Sequence, residues 1–246
     1  MQLSKRLLAV AGMVSQGGIL ADIGTDHAYI PIYLVEKNLV SGAIAADVNP
    51  GPLARAAEHI REHGLEFRIE TRLSDGLSAL EAGEAESIVI AGMGGALTIR
   101  ILREGFDRLN DHTELILQPQ SEIPQVRTYL LQNGFCIIQE DMVLEEGKYY
   151  PMMKAARLPA ARQSESQEFF AGDELALTFG PKLLQMRHPV LYQFLLRERA
   201  TQERILESLK QGKDEAAKAR AEEVHHRIEL TNNALDLYAM EVDDGE

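Results

Sequence analysis

The sequence predicts a doubly wound α/β domain with a mostly parallel sheet, followed by a smaller domain built of helices. Three observations point there. Between Ile19 and Arg157 short apolar runs alternate with helical patterns, as stacked β-α-β units do. The last two runs, Phe135 to Val143 and Tyr149 to Ala156, are joined through Glu145, Glu146, Gly147 and Lys148, whose turn chemistry suits a hairpin rather than another crossover helix. From about Pro189 to Met240 helix formers dominate.

Taken in order, Leu3, Leu7, Val10 and Val14 share one helical face, so the N-terminal segment reads as an amphipathic helix packed on the first domain, although Lys5 and Arg6 before an apolar run imitate a secretory signal. Strands are expected at Ile19 to Ile23, Ala43 to Asp47, Phe67 to Arg72, Ser87 to Ala91 and Leu115 to Gln118, with the hairpin after them. Five parallel strands closed by a hairpin make a seven-stranded, Rossmann-like sheet of the class I methyltransferase kind. Dinucleotide dehydrogenases usually continue with another parallel unit. Pro159 to Gly172, rich in Ala, Gln, Ser and Glu, reads as a linker or exposed loop, which divides the chain into 1–158 and 159–246. Within the C-terminal domain a turn near Gly212 separates a pair of long helices. Val224, Ile228, Thr231, Leu235 and Tyr238 recur at spacings of four and three, a coiled-coil seam. An antiparallel helical hairpin is expected, with packing or dimerisation as its plain role.

Composition narrows the functional classes. With 246 residues, 45% hydrophobic and 26% charged, the chain has room for one large domain and an appendage. The uncharged stretch from Leu7 to Ala21 is too short to span a bilayer, so no membrane association is expected. The single cysteine, Cys136, sits in an apolar run and reads as strand core; a disulfide framework is excluded and a cytoplasmic location fits. The net charge is -13, with 14 basic and 21 acidic residues up to Leu158 and 11 and 17 after it, so any nucleic-acid site must be a local patch.

The chemistry lies at the predicted strand ends. The first strand runs into Asp22-Ile23-Gly24-Thr25-Asp26-His27, at the turn where a doubly wound fold binds its nucleotide. Gly24 permits close backbone approach, but the G-x-G-x-x-G pattern is missing, so a diphosphate is not expected. An acidic loop suits a cationic sulfonium with an amino-acid tail, and SAM fits that description. Helix capping is the plain alternative for Asp22 and Asp26. Asp47 closes the second strand, where a carboxylate accepts hydrogen bonds from ribose hydroxyls; N-capping the next helix is compatible with that role. Asp75 and Gly76 follow the third strand, where a carboxylate and a backbone amide meet an adenine edge, or form a common turn. The fourth strand ends in Gly92-Met93-Gly94-Gly95, bare backbone suited to ligand approach or to tight packing. Gln118-Pro119-Gln120 places amides on the same rim, as base readers or as solvated side chains. His225 and His226 are consecutive on a helix and cannot form an i, i+4 metal pair, so no metal is expected.

These residues carry a resemblance. Leu3-Ser4-Lys5-Arg6-Leu7, the run Ala21 to Pro31 with its Asp26-His27-Ala28-Tyr29 core, Ala91-Gly92-Met93-Gly94-Gly95, Leu115 to Pro119 and Glu145 to Tyr150 together resemble the bacterial TrmK family, whose members methylate N1 of adenine-22 in tRNA. Thr25, Asp47 and Gln120 stand where the family usually has Ser, often Glu and commonly Asn; each swap keeps hydroxyl, carboxylate or amide chemistry. The resemblance implies a class I fold, SAM as donor, and a coiled-coil-like C-terminal domain that assists tRNA binding. On this reading Asp22, Gly24, Thr25, His27, Asp47, Asp75, Gly76, Gly92, Met93 and Gly94 hold the cofactor. Gly95, Gln118, Pro119, Gln120, Lys5 and Arg6 face the substrate, and Asp26 and Tyr29 serve catalysis. Arg100, Arg103, Arg197, Arg199 and Arg204 are further basic residues available to tRNA. DNA is not expected as a partner, and a monomer is the default state. Two other readings stay open on residues alone: a methyltransferase of a small molecule or protein, and a non-catalytic SAM-binding adaptor.

Overall fold

A computed structural model of the chain describes residues 1–157, 173–209 and 215–239. It divides into two units, Met1–Gly172 and Asp173–Glu246. The expected linker, Pro159 to Gly172, lies outside the described residues.

The first unit is a seven-stranded sheet in the order β3-β2-β1-β4-β5-β7-β6. Its strands are β1 (Gly17–Ile23), β2 (Val40–Asp47), β3 (Ile69–Leu73), β4 (Ser87–Met93), β5 (Glu114–Pro119), β6 (Phe135–Glu145) and β7 (Lys148–Arg157). The first five pair in parallel, and β7 pairs antiparallel with both β5 and β6. Parallel pairing puts all five leading strands' C-termini on one edge. The order reverses between β1 and β4, which opens a crevice there.

The central strands β1, β2, β4 and β5 are packed on both faces, which is why these runs read as nearly continuous apolar stretches. Ala21, Ile23, Ile44, Ile88 and Ile90 meet Ile101 and Leu102 of α4 (Gly95–Glu104) and Val126 and Leu130 of α5 (Ile123–Gln132). On the other face Leu20, Ala45, Val89 and Ile116 share a core with Val10 of α1 (Lys5–Gly12). Ile32 and Leu34 of α2 (Tyr29–Glu36) and Ala56 and Ile60 of α3 (Pro50–Glu62) complete it. Ser4 caps α1, its hydroxyl accepting from the Leu7 amide at 3.3 Å. Cys136 is buried in β6. The third strand starts later than the sequence pattern predicts, and Phe67 is fully exposed. The reason is local: Arg68 donates to the carbonyls of Val35, Ser41 and Val40 and to Asn38, which closes the sheet edge before the strand begins.

At the N-terminal edge of the sheet one polar network ties α1 to β4, β5 and β7. Glu114 accepts from the Ser15 amide, the Ser15 hydroxyl, the Ser87 hydroxyl and Lys154, each at 2.7 Å. Lys154 also donates to the Met13 carbonyl at 2.9 Å. A second buried ion pair, Arg127 with Glu140 at 2.9 Å, joins α5 to β6.

The second unit opens with two short helices, α6 (Glu174–Phe179) and α7 (Pro181–Gln185), before the long pair α8 (Pro189–Leu209) and α9 (Glu215–Ala239). The helical pattern does not predict the short pair; the Asp173 cap, bonded to the Leu175 and Ala176 amides, and Pro181 after Gly180 are their local signals. α8 and α9 run antiparallel, since Tyr192 meets Tyr238 while Glu198 meets Arg227. Val224 and Thr231 of the predicted seam are buried, but so are Leu230 and Ala234, because α9 also packs against α6. The predicted break at Lys210 to Asp214, and Met240, lie outside the described residues. Among the described residues no helix is long and apolar enough to cross a membrane.

Candidate active site

The C-terminal edge of β1 turns at Gly24, whose φ is +75° and whose missing Cβ leaves room for the Met93 methyl from β4. The Gly24 and Thr25 amides both donate to the Ala46 carbonyl, at 2.8 and 2.9 Å, so the ends of β1, β2 and β4 meet at this turn. His27 and Ala28 then adopt left-handed backbone, φ 64° and 54°, a conformation costing about 1–2 kcal/mol per non-glycine residue.

α3 holds that strained turn down. Its Arg55 pairs with Asp26 at 2.9 Å and, one turn on, His59 Nδ1 lies 3.2 Å from the His27 carbonyl oxygen. The His27 ring stacks on Tyr29 at 5.2 Å and tilts against His59 at 4.8 Å. α2 begins at Tyr29 with no side-chain cap, so helix capping does not account for Asp26.

Asp22 is buried, and burial pushes its carboxyl up to about 6. The neighbouring Thr25 hydroxyl offsets part of that rise, and the charge of Asp47 adds to it. The same hydroxyl is buried without a hydrogen bond of good geometry, as is His27 Nδ1. Asp47 ends β2 and accepts from the Asn49 amide at 2.7 Å; Asn49, not Asp47, stands at the N-cap of α3. Two large apolar side chains beside these acids are exposed, Val48 after β2 and Leu73 at the end of β3. Asp75 is exposed and meets Arg100 at 3.1 Å.

The glycines divide into two kinds. Gly92, φ +79°, is exposed, and a Cβ there would find only Arg6 Nη1 at 3.7 Å and Gln120 Nε2 at 3.8 Å. Gly94 caps α4. Gly95 and Gly76 are explained by packing instead: a Cβ on Gly95 would strike the Ser121 carbonyl, and one on Gly76 would press on Ile101. Gln118, expected among solvated side chains or base readers, is wholly buried; it accepts from Arg6 at 2.9 Å and donates to the Pro119 carbonyl at 3.3 Å. The Gln120 amide donates to Met93 at 2.8 Å, fixing the rim between β4 and β5. Lys5 turns away from that rim, its side chain donating to Leu144 and its amide to Glu145.

Strand order thus brings the predicted residues of β1 to β5 to one edge. Arg55, His59, Val48 and Leu73 join them, and no local pattern in the sequence marks these four as members of the site. The donor set suits a ligand with a cationic amino-acid end, a ribose and a base: a buried carboxylate short of a cation, a second carboxylate at the end of β2, exposed apolar side chains beside it, and orphaned polar atoms in the turn. Among the described residues no group of three His, Cys, Asp or Glu could hold a metal ion.

Comparison with known proteins gives the same picture. A family model described as tRNA (adenine(22)-N(1))-methyltransferase, TrmK, matches residues 20–233. The Bacillus subtilis tRNA (adenine(22)-N(1))-methyltransferase is 35% identical over 237 residues, 96% of this chain and 98% of the relative. A crystal structure of the B. subtilis m1A22 tRNA methyltransferase TrmK superposes with a TM-score of 0.85, covering 96% of this chain and 99% of that one. A putative tRNA (m1A22) methyltransferase from Streptococcus pneumoniae, in complex with SAM, gives 0.81 at 34% identity over 95% and 100% of the two chains. TrmK of M. capricolum, in complex with S-adenosyl-homocysteine, gives 0.80 at 26% identity over 96% and 99%.

Proposed function

The chain belongs to the TrmK family of tRNA (adenine(22)-N(1))-methyltransferases, and from that premise we propose how its own residues divide the work of methylating N1 of adenine-22 in tRNA. The enzyme is SAM-dependent, and bound SAM supplies an electrophilic methyl group on a sulfonium. Asp22 receives the cationic amino-acid end, because a buried carboxylate raised to about 6 is stabilised by any cation placed beside it. Thr25 and His27, left with unbonded polar atoms, hold the same end. Asp47 accepts from the ribose hydroxyls, with Val48 and Leu73 against the base and Asp75 at its edge. Gly24, Gly92, Met93 and Gly94 let backbone come close.

N1 of neutral adenine already carries an in-plane lone pair, so nothing must be deprotonated before attack, and positioning dominates the rate. The product base is cationic. Asp26 stabilises that charge: its pair with Arg55 is largely exposed, a kind of pair worth about 0–1 kcal/mol, so its carboxylate is easily recruited by a substrate. Tyr29, fixed by stacking on His27, faces the base. Gln120 forms the rim for the extruded nucleotide, continuous with Pro119 and the buried Gln118, to which Arg6 donates.

The substrate we assign is tRNA, and a cytoplasmic location accords with it. We read it as a monomer, since one chain supplies the whole edge, and as an enzyme of tRNA rather than DNA, in keeping with its family. The observation that carries this division of labour is the buried Asp22 beside the bare backbone of Gly24 and Gly92. It is tested by incubating the protein with labelled SAM and unmodified tRNA and mapping the modified nucleotide. Label at N1 of adenine-22 is expected, and label at another position or none overturns it.

A further inference from the structure

Arg6 belongs to the N-terminal helix, yet it reaches a partner 112 residues away. Its guanidinium donates to Gln118 Oε1 at 2.9 Å and lies over the Tyr150 ring, 5.5 Å from the centroid. An arginine reserved for tRNA phosphates would stand free and exposed; this one is partly buried and committed to protein partners.

Two consequences follow from those contacts. A buried carboxamide has two orientations, and its hydrogen bonds select one. With Oε1 held by a charged donor, Gln118 Nε2 goes to the Pro119 carbonyl, so Arg6 governs the rim residue next to Gln120. The second consequence concerns Gly92 at the end of β4. Its backbone is bare and exposed, and a Cβ there would find Arg6 Nη1 at 3.7 Å and Gln120 Nε2 at 3.8 Å, so Arg6 and Gln120 border the same stretch of open backbone.

The helix that carries Arg6 is fixed at both ends. At its start the Lys5 amide donates to Glu145 at 2.6 Å, and past its end the Met13 carbonyl accepts from Lys154 at 2.9 Å. A side chain supported in this way keeps one position, as a preorganised site requires.

We propose that Arg6 is a positioning residue for the target adenine: acting through Gln118, and thereby on the rim that continues into Pro119 and Gln120, it sets the orientation in which N1 faces the methyl donor. This deepens the assignment of the enzyme as a tRNA adenine methyltransferase and rests on it.

The test uses the full-length protein, wild type and the variants Arg6→Lys, Gln118→Met and the double variant, with labelled SAM and unmodified tRNA. Single-turnover rate at saturating tRNA, tRNA affinity and SAM affinity are measured separately. Lysine keeps the charge but not the planar fork that bonds Gln118 while lying over Tyr150. Arg6→Lys is therefore expected to lower the saturated rate at least about tenfold while SAM and tRNA affinities stay within about threefold. The double variant is expected to be no slower than Gln118→Met alone, because the two residues act as one unit. A wild-type rate in Arg6→Lys overturns the proposal, and so does a loss confined to tRNA affinity, which is the mark of a phosphate contact. Losses that multiply in the double variant, or collapse of SAM binding in Arg6→Lys, overturn it as well. Failure of the wild-type protein to methylate tRNA would instead sink the underlying assignment.

Discussion

The two ends of the parallel sheet each bury a carboxylate, and they treat it in opposite ways. At the N-terminal edge burial pushes the Glu114 carboxyl up, but Lys154, the Ser15 amide and hydroxyl, and the Ser87 hydroxyl outweigh it and hold the group below its ordinary range. At the C-terminal edge burial raises Asp22 to about 6, and only Thr25 opposes it. One sheet carries both groups, Asp22 at the end of β1 and Glu114 at the start of β5, so the difference comes from their local partners. An end that only holds structure together is saturated with internal partners; the other is left short of them, as a site built for a charged ligand would be.

The sharpest way to break this contrast is to neutralise each end in turn. Asp22→Asn is expected to weaken SAM binding by roughly ten- to a hundredfold, the worth of a hydrogen bond to a charged group, while the melting temperature of the free protein, relieved of a buried carboxyl, stays level or rises. Calorimetric titration beside a thermal melt reads both; undiminished affinity would refute the assignment of Asp22. Lys154→Met should do the reverse. It leaves Glu114 with its serine donors but without its cation, which costs about 2 kcal/mol and several degrees of melting temperature, with SAM affinity nearly unchanged below the transition. A variant that melted normally and bound SAM poorly would show that the two ends are not independent.

How much of this was legible in the sequence follows from the range of the interactions involved. All seven strands and the hairpin are visible because apolar runs and turn residues are local signals. Asp22, Asp47 and Gly92 are visible because strand ends in this fold face one crevice. The clamp on the turn is not: Arg55 and His59 look like an ordinary polar face of α3, and only packing shows that they hold Asp26 and His27. Gln118 reads as a base reader or a solvated amide until Arg6, 112 residues away, is found bonded to it and its side chain wholly buried. The glycine motifs mix two causes that sequence cannot separate, open backbone at Gly92 and tight packing at Gly95. The β propensity of Phe67 favours a strand there, whereas Arg68 ends the loop by bonding neighbouring carbonyls and leaves Phe67 outside it.

A smaller effect separates holding the cofactor from using it. Asp26 lies on the same turn as Asp22 but is exposed and already paired with Arg55. Asp26→Asn should leave SAM binding intact and slow tRNA methylation at least about tenfold in a single turnover, since it removes the charge that offsets the cationic base. A wild-type rate in that variant would move Asp26 out of the catalytic set and leave it as a tether for α3.

The smallest expected effect needs no substitution, only a change of pH, and its two halves have opposite signs. Free protein binds a proton at Asp22 with a value near 6, above the ordinary 3.8 of an aspartate. The folded state therefore holds that proton more tightly than the unfolded chain, and this contribution to stability is fully present below 3.8 and lost as pH rises through about 6. Lowering the pH from 7 to 5.5 should stabilise the free protein by roughly 1 kcal/mol through this group. Glu114, Glu70 and Glu84 are held below 4.5, so their opposing loss of stability sets in only at lower pH. A cationic ligand needs the ionised carboxylate, so the same acidification should weaken SAM binding by about fourfold and make binding release a proton. Titrations in buffers of different ionisation enthalpy detect that proton. If the free protein lost stability over this interval, or if affinity were flat across it, Asp22 would not be the group that receives the cofactor's positive end, and the contrast between the two edges of the sheet would have no functional meaning.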